Sequence, residues 1–111
     1  MAKITKRKFE DATMFIAENG NGKFLGSAIV AGRQGDQTAN LDSIQTNYHD
    51  RGQGVGSTLL SAVIGYALEI GANILTGEFK PECTANPKEV RKFYEKRGFT
   101  IDEKGNLRKE L

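Results

Sequence analysis

The chain has 111 residues, enough for one domain with a single core but at the small end for one. Hydrophobic residues are 38% and charged residues 27%, an ordinary soluble balance that excludes a disordered chain, and no apolar run approaches the roughly 20 residues of a membrane span. A net charge of +2 does not by itself point to nucleic acid, and the single Cys83 has no internal disulfide partner, which fits a reducing cytoplasm.

In chain order, Met1 to Lys8 is basic with no apolar stretch behind it, so no secretory leader is expected. Residues 3–9 read as a short strand or a tail. Residues 12–18 read as a strand from their apolar and β-branched content. Asn19-Gly20-Asn21-Gly22 is a hairpin turn, and Phe24 to Ala31 pairs back. A second turn, Gly32 to Gln37, leads to a third strand, Thr38 to Thr46. Then comes Tyr48-His49-Asp50-Arg51-Gly52-Gln53-Gly54-Val55-Gly56-Ser57, a glycine-rich turn that opens a helix. Val55, Leu59, Leu60, Val63, Ile64, Ala67 and Leu68 recur at helical spacing, and Gly71 stands where a left-handed C-terminal cap belongs.

Residues 72–79 form the next strand, followed by a loop with Pro81 and Cys83. A second helix starts with Asn86 as cap, Pro87 at its first position and Glu89 to complete a capping box, and it ends at Gly98. Phe99 to Ile101 and Leu107 to Leu111 read as two closing strands. The expected order is β-β-β-α-β-α-β-β, an α/β (α+β) fold in one domain over residues 1–111, with a mostly antiparallel mixed sheet and two main helices. The basic groups Lys3, Lys6, Arg7, Lys8 and Lys88, Arg91, Lys92, Lys96, Arg97 read as solvated faces, or secondly as contacts for phosphates or an acidic acceptor.

A glycine-rich turn ahead of a helix lets backbone N–H groups approach an anion, and the natural guest is phosphate or pyrophosphate. The P-loop pattern fails, because Gly56 is followed by Ser57 and Thr58 with no lysine. The dinucleotide fingerprint fails as well, because its third glycine position is Ser57. What remains is Arg-x-x-Gly-x-Gly at Arg51, Gly54 and Gly56. After a strand and before an amphipathic helix, this resembles the acetyl-CoA signature of GNAT (GCN5-related) N-acetyltransferases. Phe93-Tyr94-Glu95-Lys96-Arg97-Gly98-Phe99 resembles that family's second signature, in the family's order, and the likeness spans about residues 24 to 101.

The resemblance implies acetyl-CoA as co-substrate, with no metal. It implies that Ile44, Gln45 and Thr46 pair their backbone with the pantetheine arm, and that Arg51, Gly52, Gln53, Gly54, Val55, Gly56 and Ser57 hold the pyrophosphate. It implies that Tyr94 lies near the CoA sulfur as general acid. The family's asparagine, seven positions before the tyrosine, falls here on Pro87. Asn86 is therefore a helix cap first and a CoA contact second. Asp42 and Glu78, on the two strands that flank the cofactor, are the candidate general bases. His49 lies near the phosphates, and Cys83 reads as a free structural thiol.

The family's helices between its first two strands have no room here, since Asn19 to Gly22 is only a turn. This minimal member thus presents an open acceptor side, suited to a protein lysine or N-terminus, or to a wall from a second subunit. Three functions follow. The first is transfer of acetyl to a primary amine by direct attack in a ternary complex, in the cytoplasm, with no nucleic acid or membrane and with a possible homodimer. The second is a catalytically silent acyl-CoA-binding regulatory or interaction module. The third is a phosphate site for another nucleotide.

Overall fold

The computed structural model describes residues 3–46, 54–79 and 86–111. Its elements are β1 (Lys3–Lys8), β2 (Ala12–Glu18), β3 (Phe24–Ala31), β4 (Thr38–Thr46), α1 (Val55–Glu69), β5 (Ile74–Glu78), α2 (Pro87–Glu95), β6 (Thr100–Ile101) and β7 (Asn106–Glu110). They form one seven-stranded sheet in the order β1-β2-β3-β4-β5-β7-β6. All pairings are antiparallel except β4 with β5, which α1 connects as a crossover. The expected mixed α/β fold with two helices is therefore present.

One difference lies at the start. Four strands precede α1, not three, because residues 3–8 are a strand. Its sequence resembles a tail because it is an edge strand, and Lys3, Lys6, Arg7 and Lys8 keep its open side from pairing with another chain. It is anchored by Ile4, which packs on the core, and by Lys6, whose ammonium sits 5.4 Å from the Tyr66 ring centre and 3.9 Å from Glu69.

Alternation places the core. On β2, Thr13, Phe15 and Ala17 are buried while Ala12, Met14, Ile16 and Glu18 are half-buried, the period of two that a sheet with one covered face requires. The hairpin after β2 is closed by the Asn19 side chain, which accepts from the N–H of Asn21 and of Lys23 at 2.9 and 3.0 Å. α1 buries Val55, Leu59, Leu60, Val63, Tyr66 and Ala67. Leu68, which the helical spacing assigned to that stripe, is 55% exposed. Tyr66 takes the inward place, with its ring against Phe15 at 6.2 Å and its hydroxyl donating to the Gly32 carbonyl at 3.0 Å. The aromatic body fills the core while the backbone satisfies the polar tip.

α2 lies on the same side as α1. Phe93 approaches Gly56 at the start of α1, and Lys109, in register with buried Leu75, donates to the Arg97 carbonyl at 2.8 Å. Among the described residues, then, both helices cover one face of the sheet. The other face, carrying the register row Arg7, Met14, Ile29 and Ser43, has no helix on it.

Candidate functional site

The sheet comes apart at one place. β4 pairs with β5 only over Thr38–Leu41 against Ile74–Gly77. From Ser43 to Thr46, β4 keeps its partners on β3 but has none on the β5 side among the described residues. β5 meanwhile continues along β7, with Glu78 opposite Asn106. The split begins at a bulge. Ile29 pairs with Ser43 while Val30 pairs with Leu41, so Asp42 is the extra residue that bends β4 away. The result is a wedge with backbone amides and carbonyls of β4 along one wall. These groups must find partners, and an extended amide-bearing ligand can supply them.

β3 presses close behind this wall. A Cβ on Gly26 would lie 2.5 Å from the Gln45 carbonyl oxygen and 3.1 Å from the Thr46 Cα, so only glycine fits. Gly26 was not singled out from the sequence, although a glycine inside a strand pattern is the signal for close backbone approach.

Ile44 and Thr46 face the helices, and Gln45 faces the opposite side. Above Thr46 sits the first turn of α1, where the Thr46 methyl lies 3.8 Å from the place a Gly56 Cβ would take. Gly54, at φ +79°, is the N-cap, a left-handed conformation that penalises most side chains. The first turn has no side-chain cap and no acidic residue. Thr58 turns its hydroxyl back to the Gly54 carbonyl at 2.9 Å. Val55, Gly56 and Ser57 thus present backbone N–H groups at the positive end of the helix, next to the wedge. Arg51, Gly52 and Gln53, expected beside them, lie outside the described residues, as do His49 and Cys83.

α2 brings Phe93 and Tyr94 to the same region. The Phe93 ring lies 3.5 Å from the place of a Gly56 Cβ, and the Arg97 guanidinium stacks on it at 4.0 Å. Tyr94 is buried, with the Phe99 ring edge-on at 5.4 Å. That contact belongs to the helix end, where the N–H of Phe99 bonds to the Tyr94 carbonyl and that of Gly98 to the Glu95 carbonyl, with Gly98 at φ +87°. Among the described residues the Tyr94 hydroxyl has no hydrogen-bond partner. Burial pushes its pKa up to about 12, so it is a neutral phenol with a proton to offer. Asn86 occupies the N-cap of α2, but its side chain makes no capping bond, contrary to its expected role.

On the open face, a groove of about 760 Å³ runs beside the wedge, lined by Asp42, Glu78, Asp102, Asn40, Thr76 and Arg108 among others. Asn40 ties Asp42 in place by a side-chain hydrogen bond and joins Thr76 at 2.9 Å. Asp102 is spoken for. It accepts from the backbone of Asn106 and Lys104 and from the Asn106 side chain, and these bonds hold its pKa below the usual carboxylate range. The structure therefore brings Asp42 and Glu78 to one groove and sets Tyr94 on the other side of the sheet. Asn40, Thr76, Asn106 and Arg108 were invisible as site residues beforehand, because only cross-strand register aligns them. Among the described residues no group of three or more His, Cys, Asp or Glu is arranged to hold a metal ion, and no helix is long and apolar enough to cross a membrane.

A family model described as an acetyltransferase (GNAT) domain matches residues 10–101. The chain belongs to the GNAT acetyltransferase family. No curated protein matches it in sequence. Among solved structures, the GNAT chain is similar to an IAA acetyltransferase from Bacillus cereus ATCC 14579, with a TM-score of 0.80 and 17% identity over 100% of both chains. It is similar also to a GNAT family acetyltransferase from Elizabethkingia anophelis with acetyl-CoA bound, at a TM-score of 0.79 and 16% identity, covering 99% of this chain and 98% of that one. A third is the PaiA N-acetyltransferase from Thermoplasma acidophilum in complex with coenzyme A, at 0.74 and 16%, covering 91% and 62%. At these identities the likeness is one of fold.

Proposed function

We propose that this GNAT chain transfers acetyl from acetyl-CoA to a primary amine by direct attack in a ternary complex. The observation that carries the reading is the wedge: β4 leaves β5 at the Asp42 bulge, its edge to Thr46 is unpaired among the described residues, and Thr46 lies against the start of α1, which has no side-chain cap. A pantetheine arm has amides spaced to pair with Ile44, Gln45 and Thr46 as an added strand. A pyrophosphate suits the N–H groups of Gly54, Val55, Gly56 and Ser57, with Arg51, Gly52 and Gln53 completing the loop.

The two faces divide the chemistry. The acceptor ammonium enters the groove on the open face, where Asp42 or Glu78 takes its proton, directly or through water. The amine lone pair attacks the thioester carbonyl, and the C–S bond breaks as the tetrahedral intermediate collapses. Charge builds on sulfur as it leaves. Tyr94 meets that charge as a hydrogen-bond donor from the helix side. At about 12 its phenol is a weaker acid than a thiol near 8.5. It therefore stabilises the departing sulfur rather than ending as a phenolate, and the thiol's proton comes finally from the groove or solvent. Holding the reactants together supplies much of the rate.

Calorimetric titration with acetyl-CoA, desulfo-CoA, ATP and NAD tests the binding half of this reading. Selective binding of the two CoA ligands is expected, and equal binding of ATP or NAD would overturn it. An acceptor screen that reads free thiol then tests transfer. Binding without thiol release from any amine, including lysine peptides and polyamines, would leave a silent acyl-CoA module in its place.

A further inference from the structure

A groove that only attracts an ammonium needs charge and nothing more. This one also orients a single carboxylate. Asn40 and Asp42 stand exposed on the open face of β4, while Ala39 and Leu41 between and before them are buried. Asn40 is in register with Thr76 on β5, and Leu41 with Gly77 is the last pair before the strands part. Asp42 comes next, at the mouth of the wedge. As the bulged residue it has no register partner on β3, and it has none on β5. Bulges of this kind re-aim a side chain beside a site.

The side chains of Thr76, Asn40 and Asp42 are joined across this point. The Thr76 hydroxyl donates to Asn40 Oδ1 at 2.9 Å, and Asn40 Nδ2 donates to Asp42 Oδ1. The Ala39 carbonyl, at 3.4 Å, is the more distant acceptor for the hydroxyl proton. The bonds run in one direction. An ionised carboxylate only accepts, so the amide turns its NH2 to Asp42, and its oxygen then takes the hydroxyl as donor. Exposed bonds like these contribute little to stability, since water serves the same groups as well. Their effect is to remove the rotational freedom of one carboxylate.

We propose that Asn40, itself fixed by Thr76, is the positioning residue that makes Asp42, and not Glu78, the proton acceptor in acetyl transfer. The inference rests on the transfer reading above. Asn40 occupies Oδ1 and holds the plane of the carboxylate, so Oδ2 is the oxygen that meets the acceptor ammonium. One N–H proton passes to Oδ2, directly or through water, and the electron pair left on nitrogen attacks the thioester carbon. Glu78 lies across the gap on β5, in register with Asn106, and adds the second negative charge that draws the ammonium in.

Steady-state kinetics tests this, with acetyl-CoA and the amine that releases free thiol fastest among lysine peptides and polyamines. Asp42→Asn should lower kcat by about 100-fold or more, and Glu78→Gln by less than about tenfold. Asn40→Ala should lower kcat by about 10- to 30-fold and Thr76→Val by about 3- to 10-fold, with the KM for acetyl-CoA and the melting temperature unchanged. Thr76→Ser keeps the hydroxyl and should keep the wild-type rate. The Thr76 pair also keeps the test valid should Asn40→Ala not fold. Asn40→Ala should add nothing to Asp42→Asn, because it acts only through that carboxylate. The inference is overturned if Asn40→Ala has the wild-type kcat, if its effect multiplies with that of Asp42→Asn, if Thr76→Val is as fast as Thr76→Ser, or if Glu78→Gln is the more damaging carboxylate change. Each of those results leaves transfer itself standing. A wild type that binds acetyl-CoA and releases no thiol removes the transfer reading, and this inference with it.

Discussion

The two helices begin in opposite ways. α2 completes its own start. Pro87 removes a donor that would have no partner, and Glu89 places a carboxylate against the positive end. α1 does neither. It has no acid in its first turn and no side-chain cap, and it is entered through a glycine at φ +79°. Both starts rest on the same side of the sheet and neither has a side-chain cap, but only the one beside the wedge also lacks both a proline and an acid. The chain satisfies the helix that serves as scaffold and leaves unsatisfied the one whose missing charge a ligand can supply.

The largest effect should come from completing α1 artificially. Gly54→Asp puts a carboxylate where the pyrophosphate is proposed to sit. Aspartate tolerates the left-handed conformation better than most residues, so the fold should hold. Acetyl-CoA affinity by calorimetry should fall by about 100-fold or more, through repulsion and lost N–H groups. Gly54→Ala should cost on the order of 1 kcal/mol of stability and far less affinity. Wild-type affinity in Gly54→Asp would remove the start of α1 from the site.

A smaller effect is expected at the other end of α2, where the turn at Gly98 clamps Tyr94 against Phe99. Tyr94→Phe keeps the ring and removes the donor proposed to meet the developing charge. It should lower kcat by about 10- to 100-fold with little change in KM for acetyl-CoA. With a pKa near 12, the wild-type phenol stays protonated through the working range. Activity should therefore rise with pH as the acceptor amine deprotonates, with no alkaline fall from Tyr94 below roughly pH 11. Stability gives a second reading. The folded pKa lies above the unfolded value of 10.0, so the contribution is complete below about pH 10 and is lost as pH rises towards 12. That loss is about 2–3 kcal/mol in wild type and absent in Tyr94→Phe, measured by denaturant melts across that window.

How much of this could be read in the sequence follows from the range of each interaction. Asn19 to Gly22, Gly71 and Gly98 act within a few residues, and the turns and helix ends stand where they were expected. The start of α1 was legible for the same reason. The bulge at Asp42 was not, since it exists only as a mismatch between β3 and β4. Neither was the alignment of Asn40, Thr76 and Arg108, which three strands from distant parts of the chain set side by side. Leu68 and Tyr66 exchanged places because periodicity counts apolar residues but cannot see that a tyrosine hydroxyl finds Gly32. β1 was ambiguous because a guarded edge and a basic tail use the same lysines.

The smallest effect bears directly on the contrast between the helix starts. Asn86 stands at the cap of α2, yet its side chain makes no capping bond. Loss of a working asparagine cap costs about 0.5–2 kcal/mol. Here Asn86→Ala should cost less than about 0.5 kcal/mol, because Pro87 and Glu89 already serve that end. Its amide is then available to a ligand, at the periphery of the site, and acetyl-CoA affinity should change by about threefold at most. The two readouts separate the roles. A stability loss above about 1 kcal/mol in chemical denaturation would mean that the side chain caps the helix in solution. An affinity loss above about tenfold would make the start of α2 a second anchor for CoA and end the asymmetry between the two helices.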